Sequence, residues 1–449
     1  MSRVCSSIVT SLRARIRISQ KSLTIGCVAF AALAFLYPLN AQDPSRLGLT
    51  QSLALRGSVS IDPYAAATGD KARYEGHWYS DKAPGVSFLA LPLARLGFDA
   101  MRLTGRVPSH FENRGLWNRW PLLFAARLAT GGLLFLFALL LLWRVAESLR
   151  PGRGAAVAVT LGLATLAFPL AATVFGHLGG GILAFSAWLI AWRTHARPQF
   201  WPVVGLLAGI AVLFEYQAAL AGIVVLVYLV VRTRRLLSIV LFLLGAVPAG
   251  VVLGAYNWAA FGSPTHFSYG YVLIPSQKEG FFGISAPTWS GLDRVFFGDH
   301  GILREQPVLL LAAAGLVLLW RRGFRAEAAA CGAVAVLFAL MTSGYFDPYG
   351  GVSPGPRFFI PALPFLVVGL AEAYSRWPRV TSIAAAVSAA KMVLAAARWN
   401  PGPDWPTLWT QIGLTKQAAA ILIVAPVVGA LALALPLSLP ARARARVPS

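Results

Sequence analysis

Long apolar segments recur along almost the whole chain, and this repetition limits what the chain can fold into. A helix that crosses the hydrocarbon core of a membrane needs about 20 predominantly apolar residues. Twelve candidate segments approach this length: 22–40, 120–143, 154–173, 177–192, 201–214, 217–231, 236–258, 306–320, 326–342, 358–374, 380–397 and 417–438. We therefore predict an all-α polytopic membrane protein with about twelve transmembrane helices, of which the shorter ones are tilted, broken or partly buried in protein.

The charge of the chain is strongly positive but thinly distributed. The formal net charge is +22, yet only 12% of the residues are charged, against about 25% in soluble domains. The arginines stand in short clusters between apolar segments, which is the pattern of cytoplasmic loops in polytopic membrane proteins. We therefore attribute the positive charge to membrane topology and expect no nucleic-acid partner.

Threading the chain through a membrane places every compact basic cluster on one side. With residue 1 in the cytoplasm, the inner linkers hold these arginines: Arg144, Arg150, Arg153, Arg193, Arg197, Arg232, Arg234, Arg235, Arg321, Arg322, Arg325, Arg376 and Arg379. One miscounted span in the middle of the chain would move the later clusters to the other side. The pattern predicts basic cytoplasmic tails at 1–21 and 439–449, around one transmembrane domain at 22–438.

The first apolar segment follows a basic tail, an arrangement that secretory signal peptides share. The run from Ser22 to Leu39 ends in LYPLNAQ, which is a poor match for the small-residue cleavage site of a signal peptide. Many further apolar segments follow. We therefore predict that this segment is retained as the first span.

The linkers on the other side are longer and hold nearly all of the acidic residues. We predict large outer loops at 41–119, 259–305 and 343–357, and we expect an active site on this side. Two stretches of the first loop have the pattern of amphipathic helices that lie on the membrane surface. Their apolar residues are Leu47, Leu49, Leu53 and Leu55, then Phe88, Leu89, Leu91, Leu93 and Leu96.

Asp43 follows the first apolar segment immediately, in the sequence NAQDPSR. A carboxylate at the edge of the lipid is costly unless it is paired, hydrated or functional, and Pro44 should end the span. Two interpretations are open. Asp43 is either a general base that takes a proton from an acceptor hydroxyl or a structural acid paired with Arg46.

Lys82 stands in the sequence GHWYSDKAPG, just before an apolar stretch. A lysine at the level of the lipid headgroups can bind a phosphate as a point charge. The structural alternative is an ion pair with Asp81. In the same stretch, His77 has no second histidine at metal-ligand spacing, and the three cysteines of the chain form no CxxC motif, so we expect no metal site.

Two further positions on the outer side carry unusual charge. Glu215 falls between two apolar segments that are barely long enough to span, so it lies at or inside the membrane edge, where an acid is a candidate functional residue. Arg357 opposes the positive-inside bias at the end of a tightly folded loop that also contains Asp347 and Tyr349. Its fork of donors suits a phosphate. An ion pair with Asp347 is the alternative.

These residues carry a resemblance to a known group of enzymes. The stretches DPSR and GHWYSDKAPGVSFLALP resemble the first loop of bacterial GT-C membrane glycosyltransferases, a group that includes protein O-mannosyltransferases and the lipid A aminoarabinose transferase. Tyr79, Lys82 and Pro84 match a Tyr-x-x-Lys-Pro-Pro-like motif, with Ala83 in place of one proline. The later stretches FGSPTHFSYGY and GGVSPGPRFFIPALP are also similar to this group. The second acid that often accompanies the first-loop acid is missing here.

The resemblance implies an activity and roles for individual residues. The donor would be a sugar on a polyprenyl phosphate in the inner (plasma) membrane of a bacterium, so membrane lipid is the expected partner and no nucleotide is needed. Some GT-C enzymes use a divalent metal, but the sequence has too few clustered acids for us to predict one, so we expect no cofactor. Asp43 would be the base of an inverting transfer, and Lys82 and Arg357 would bind the phosphate. The remaining candidates for the substrate pocket are Arg46, His77, Tyr79, Glu215, Asp347 and Tyr349.

Two other classes of protein fit the hydropathy pattern. A secondary transporter or lipid flippase would also have about twelve spans, and transporters are often built from repeated halves. No second copy of the first-loop pattern follows in the second half of the chain. A non-catalytic scaffold would not need polar residues gathered on one side. We therefore favour the glycosyltransferase and keep transport as the alternative.

Overall fold

The computed structural model describes residues 20–34, 42–105, 126–171, 173–351, 353–399 and 415–435, and these are mostly helical. Each of the twelve predicted apolar segments contains a helix. The helices are α1 (Gln20–Ala34), α2 (Gln42–Arg56), α3 (Gly85–Leu103), α4 (Leu133–Leu149, preceded by a π turn at Leu128–Gly132), α5 (Gly154–Leu163), α6 (Ala167–Leu170), α7 (Gly176–Thr194), α8 (Trp201–Phe214), α9 (Ala218–Thr233), α10 (Leu237–Phe261), α11 (Trp289–Phe296), α12 (Ile302–Glu305), α13 (Val308–Arg321), α14 (Arg325–Gly344), α15 (Leu363–Val367), α16 (Leu370–Arg376), α17 (Pro378–Trp399) and α18 (Lys416–Ala434).

Several of these helices suit a membrane by length and composition. Among the described residues, four are long and apolar enough to cross one: Leu128–Leu149, Leu237–Phe261, Arg325–Gly344 and Pro378–Ala396. Arg357–Val367 and Leu370–Arg376 meet at 56° and add a fifth if they form one broken span. Other apolar helices are shorter. The structure thus confirms an all-α architecture with several apolar helices, and the number of twelve crossings stays a prediction.

The basic linkers that were predicted to share one side meet at one end of the helix bundle. Glu372 accepts hydrogen bonds from Arg150 at 2.7 Å and from Arg322 at 2.6 Å, so one carboxylate joins α16 to the ends of α4 and α13. Arg193 donates to Ser148 at 2.6 Å, which joins α7 to α4. Arginine is suited to such contacts because its planar fork of donors can bind two groups at once.

The loop after α1 lies at the opposite end and contains a small hairpin that an all-helical prediction does not include. β1 (Lys71–Tyr74) pairs antiparallel with β2 (His77–Ser80), with Lys71 opposite Ser80. The turn consists of Glu75 and Gly76, whose φ angles of 47° and 86° are both positive, as type I′ hairpin turns require.

The first amphipathic stretch of this loop is buried, which corrects the prediction of a helix lying on the membrane surface. Leu47 and Leu49 of α2 are inaccessible to solvent. Thr50 donates a hydrogen bond to the carbonyl oxygen of Ser87, and Ser87 donates one to the carbonyl oxygen of Arg46, so α2 and α3 are held together. Ser45, Arg46 and Thr50 of α2 are buried with protein partners, which a helix facing lipid and water would not provide. The second stretch, in α3, keeps exposed leucines at 89, 93 and 96.

The topology predicts opposite reactivity for two single cysteines, placed in a variant in which the native cysteines are replaced by alanine. Cysteine at Ala67, an exposed position in the first outer loop, should react with a membrane-impermeant maleimide in intact cells. Cysteine at Arg235, exposed in a basic linker, should react only after the membrane is permeabilised. Labelling of both positions from the same side would contradict the predicted threading.

Candidate functional site

A buried ion pair joins the first loop to the turn that follows α8. The Arg46 guanidinium lies 2.5 Å from the Glu215 carboxylate, and the two side chains are 1% and 3% exposed. Arg46 also donates to the carbonyl oxygen of Ala83 at 3.1 Å. The His177 ring nitrogen Nδ1 lies 3.3 Å from the same carboxylate. Because a buried pair is costly when one partner is lost, it fixes α2 against α7 and α8.

The approach of the first loop to this turn depends on a glycine. Gly85 begins α3, and a Cβ atom at this position would lie 2.6 Å from the carbonyl oxygen of Leu213. A side chain would therefore push α3 away from the end of α8. The close contact places Lys82 and Ala83, which precede α3, beside Glu215.

Lys82 is buried between two carboxylates. Its ammonium nitrogen lies 2.9 Å from Asp81 and 3.2 Å from Asp70. Burial lowers the pKa of Lys82, but the two carboxylates outweigh it, so this pKa lies above its usual value and the side chain is a cation at neutral pH. Burial also raises the pKa of Asp81 above its usual value. The contact of Lys82 with Asp81 is thus present, Asp70 joins the pair, and the role of Lys82 stays a prediction.

Arg357 is the cation of this region with the fewest protein partners. Its guanidinium carbon lies 5.4 Å from the ring centre of Phe175 and 5.5 Å from that of Phe358. Its buried Nε has no hydrogen-bond partner, and no carboxylate lies within ion-pair distance of Arg357 in the described part of the chain. The positive charge of Arg357 nevertheless acts to lower the pKa of Lys82. A buried cation with no carboxylate within ion-pair distance among the described residues is suited to bind an anion.

The alternative pairing of Arg357 with Asp347 is not formed. The Asp347 carboxylate instead accepts hydrogen bonds from the backbone N–H groups of Tyr349 and Gly351, which closes the turn before Arg357. Gly350 in this turn has a φ of 74°, and a Cβ atom there would lie 2.7 Å from Nε of Arg357. Glycine suits this position because it adopts a positive φ readily and has no Cβ atom to meet the arginine. Asp347 therefore shapes the turn, and Gly350 leaves the space that the arginine occupies.

An apolar cavity of about 550 Å³ adjoins this cluster. Its walls come from α8, α9, α10 and α14, and from the loop around Phe282. Tyr345 and Phe358 line the cavity, and the Phe358 ring lies 5.4 Å from His177. Phe358 therefore contacts both the apolar cavity and the charged cluster.

Asp43 pairs with Arg127 and not with Arg46, the nearby arginine that the sequence suggested as its structural partner. Its carboxylate is fully buried, lies 2.7 Å from the Arg127 guanidinium, and accepts a hydrogen bond of 3.1 Å from the backbone N–H of Val174. The expected alternative pair with Arg46 is wrong, because Arg46 points to Glu215. Asp43 does not line the apolar cavity.

Comparisons with known proteins show which fold the chain has. No protein-family model matches the sequence, and no curated protein matches it either. The structure of ArnT from Cupriavidus metallidurans in the apo state is similar with a TM-score of 0.51 and 18% identity, over 97% of this chain and 75% of ArnT. The structure of ArnT bound to undecaprenyl phosphate gives a TM-score of 0.50 and 17% identity, over 91% and 75%.

The chain has an ArnT-like GT-C fold. This finding confirms, at the level of the fold, the resemblance to GT-C membrane glycosyltransferases that the first-loop motifs indicated.

The ArnT-like fold brings four of the predicted site residues together: Arg46, Lys82, Glu215 and Arg357. These residues are far apart in the sequence; Arg46 and Glu215, for example, are separated by 169 positions. Among the described residues, no three His, Cys, Asp or Glu side chains are grouped so that they could hold a metal ion. The cluster thus holds three cations, Arg46, Lys82 and Arg357, and three carboxylates, Glu215, Asp70 and Asp81, which pair with Arg46 and Lys82.

Three other predicted residues lie outside this cluster. His77 is 61% exposed and pairs with Asp62 at 2.7 Å on the surface of the hairpin. Tyr79 is buried, and its ring packs 5.3 Å from that of Phe261 in a separate apolar cluster. Tyr349 donates a hydrogen bond to the carbonyl oxygen of Arg294. These contacts are structural.

The sequence analysis missed Asp70, Arg127 and the contact of His177 with Glu215. The sequence feature that predicts the position of Asp70 is the Glu75–Gly76 turn. Once this turn is read as a hairpin, continuing its register beyond Lys71 and Ser80 brings Asp70 close to Asp81 and Lys82. The signal for Arg127 was its place inside the apolar segment 120–143, where a charge needs a buried partner.

Proposed function

We propose that the protein is an integral-membrane glycosyltransferase that moves a sugar from a polyprenyl-phosphate donor to an acceptor on the outer side of a bacterial plasma membrane. The acceptor is a glycan, a lipid or a protein. The observation that carries the proposal is the pair of cations, Lys82 and Arg357, beside an apolar cavity of about 550 Å³. The ArnT structure with undecaprenyl phosphate supports the choice of lipid carrier.

The cavity and the cations suit the two halves of such a donor. Ligand pockets of about 300–1,000 Å³ are common, so this cavity of about 550 Å³ can hold the phosphate-proximal part of a polyprenyl chain. The rest of the chain would lie in the bilayer. Arg357 would give the phosphate two parallel hydrogen bonds, and Lys82 a point charge.

The transfer breaks one bond and forms another. The acceptor hydroxyl oxygen attacks the anomeric carbon of the sugar, and the bond from that carbon to the phosphate oxygen breaks. Attack from the face opposite the phosphate inverts the anomeric centre. The phosphate leaves with an additional negative charge, which Lys82 and Arg357 stabilise in the transition state. The hydroxyl proton passes to a carboxylate.

Asp43 is the carboxylate that we propose as this base. The Arg127 guanidinium and the Val174 N–H hold this carboxylate in place. Its complete burial keeps water from the reaction, which favours transfer over hydrolysis of the donor. Acceptor binding must therefore open a route to Asp43.

Deletion of the gene should make the donor accumulate in the outer leaflet and its glycosylated product disappear. The reason is that a transferase acts after the lipid-linked sugar has crossed the membrane. Mass spectrometry of the lipid-linked sugars would identify the donor, and periodate treatment of intact spheroplasts would locate its sugar. Complementation with Lys82→Ala should leave the accumulation unchanged. A donor that accumulates only in the inner leaflet would indicate a flippase instead.

A further inference from the structure

Asp70 is an acid of the charged cluster to which the proposed reaction assigns no role. It stands just before β1, and its N–H donates to the Thr68 hydroxyl oxygen at 3.0 Å. Its side chain is 20% exposed, whereas that of Asp81, the other carboxylate on Lys82, is 3% exposed. Of the two, Asp70 is thus the one that solvent and ligands can reach.

Asp81 is also held more firmly than Asp70. Ser268 donates a hydrogen bond to the carbonyl oxygen of Asp81, and Ser45 donates one to its carboxylate. These contacts tie Asp81 to α2 and to the loop after α10. Asp70 takes part in neither contact.

Asp70 lies in the field of the same two cations that would bind the phosphate. Burial raises the pKa of Asp70, but the charges of Lys82 and Arg357 outweigh burial, so this pKa lies below its usual value. Asp70 is therefore an anion at neutral pH. A phosphate on Lys82 and Arg357 would place a second anion beside it.

We infer that Asp70 and the lipid phosphate compete for Lys82, so that Asp70 limits how tightly the spent carrier is held. This inference rests on the proposed function. The donor is a phosphodiester with one negative charge, whereas the product is a phosphomonoester with about −1.5 to −2 at pH 7. The cations would thus hold the product more strongly than the donor. Return of Asp70 to Lys82 offsets this difference and releases the carrier.

Replacing Asp70 by Asn should therefore tighten binding of undecaprenyl phosphate. Asparagine has nearly the same shape but does not attract the ammonium of Lys82. We expect an affinity about 10-fold higher, since the phosphate no longer has to break an ion pair worth about 1.4 kcal/mol. Native mass spectrometry of the full chain in nanodiscs, titrated with undecaprenyl phosphate, measures this change. Asp62→Asn is the matched control, because Asp62 is an acid of the same loop paired with His77.

Two further measurements test whether the phosphate displaces Asp70 from Lys82 or whether Asp70→Asn acts only by removing a negative charge. A cryo-electron microscopy structure with undecaprenyl phosphate should show the Lys82–Asp70 distance, now 3.2 Å, lengthened beyond 4 Å while the Lys82–Asp81 pair persists. In a Lys82→Ala background, Asp70→Asn should give little or no gain.

The outcomes distinguish this inference from the proposed function. Wild-type binding that depends on Lys82, combined with unchanged affinity in Asp70→Asn or an intact Lys82–Asp70 pair in the complex, would overturn the inference alone. If the wild-type chain binds undecaprenyl phosphate no better than neutral undecaprenol, the proposed function and the inference both fail.

Discussion

Replacing Asp43 by Asn is expected to lower the rate of sugar transfer by about 10²–10⁴-fold, the usual contribution of a general base. The amide keeps the size of the side chain but cannot accept the acceptor's proton. Donor binding should change little, because the residues that we propose to bind the phosphate are Lys82 and Arg357. Single-turnover transfer assays and donor titrations measure the two quantities separately.

A structural role for Asp43 predicts a different result, and Arg127 allows the two roles to be separated. Asn at position 43 removes the carboxylate that lies 2.7 Å from the buried Arg127 guanidinium, and breaking a buried ion pair costs about 3–5 kcal/mol of stability. The double variant Asp43→Asn, Arg127→Gln removes both charges. It should recover most of the unfolding temperature that Asp43→Asn loses.

Transfer should stay low in that double variant, because stability has returned but the base has not. Asp62→Asn, an exposed acid paired with His77, serves as the control and should transfer at the wild-type rate. Recovery of transfer together with stability would show that Asp43 serves only to hold Arg127 in place.

The case of Asp43 also illustrates what sequence reasoning could reach. Its position at the outer end of the first apolar segment follows from hydropathy. Its partner does not, because the nearest basic residue, Arg46, is drawn to Glu215 on a distant part of the chain. Arg127 lies 84 residues from Asp43. Such pairs are decided by tertiary packing, which local patterns do not encode.

The helices were more accessible to prediction than the first loop. Apolar length alone located helices such as α8, and contacts of Arg150, Arg193 and Arg322 place three of the basic linkers at one end of the bundle. In the first loop, the leucines of α2 resembled a surface helix because their spacing is the same whether the apolar face meets lipid or protein. Arg46 and Thr50 of α2 are buried, which shows that this helix packs against protein and does not lie on a lipid surface.

Replacing Arg357 is expected to weaken binding of undecaprenyl phosphate more than any other change in the charged cluster. Lys82 keeps two carboxylates as partners, whereas Arg357 has none within ion-pair distance among the described residues. Its charge is thus the most available one for a phosphate. Hydrogen bonds to charged groups are worth about 1.5–3 kcal/mol, so Arg357→Ala should weaken binding by about 10- to 150-fold.

Arg357→Lys tests the geometry of the interaction, because it keeps the charge and loses the planar fork. We expect it to weaken phosphate binding by about 10-fold, a smaller effect than that of alanine. Arg304→Lys is the matched control, since Arg304 is exposed and pairs with Asp299 on the surface. Titration with undecaprenyl phosphate and with neutral undecaprenol separates phosphate recognition from binding of the chain.

Gly350→Ala should displace the Arg357 side chain without changing that residue itself. The added Cβ would meet Nε of Arg357 at 2.7 Å, and the φ of 74° would be strained, so the guanidinium has to shift. Gly351→Ala adds similar backbone strain, at a φ of 89°, without any contact within 4 Å. If Arg357 holds the phosphate, Gly350→Ala should weaken lipid binding beyond the effect of Gly351→Ala. Equal affinities in both glycine variants, together with unchanged affinity in Arg357→Lys, would remove Arg357 from the phosphate site.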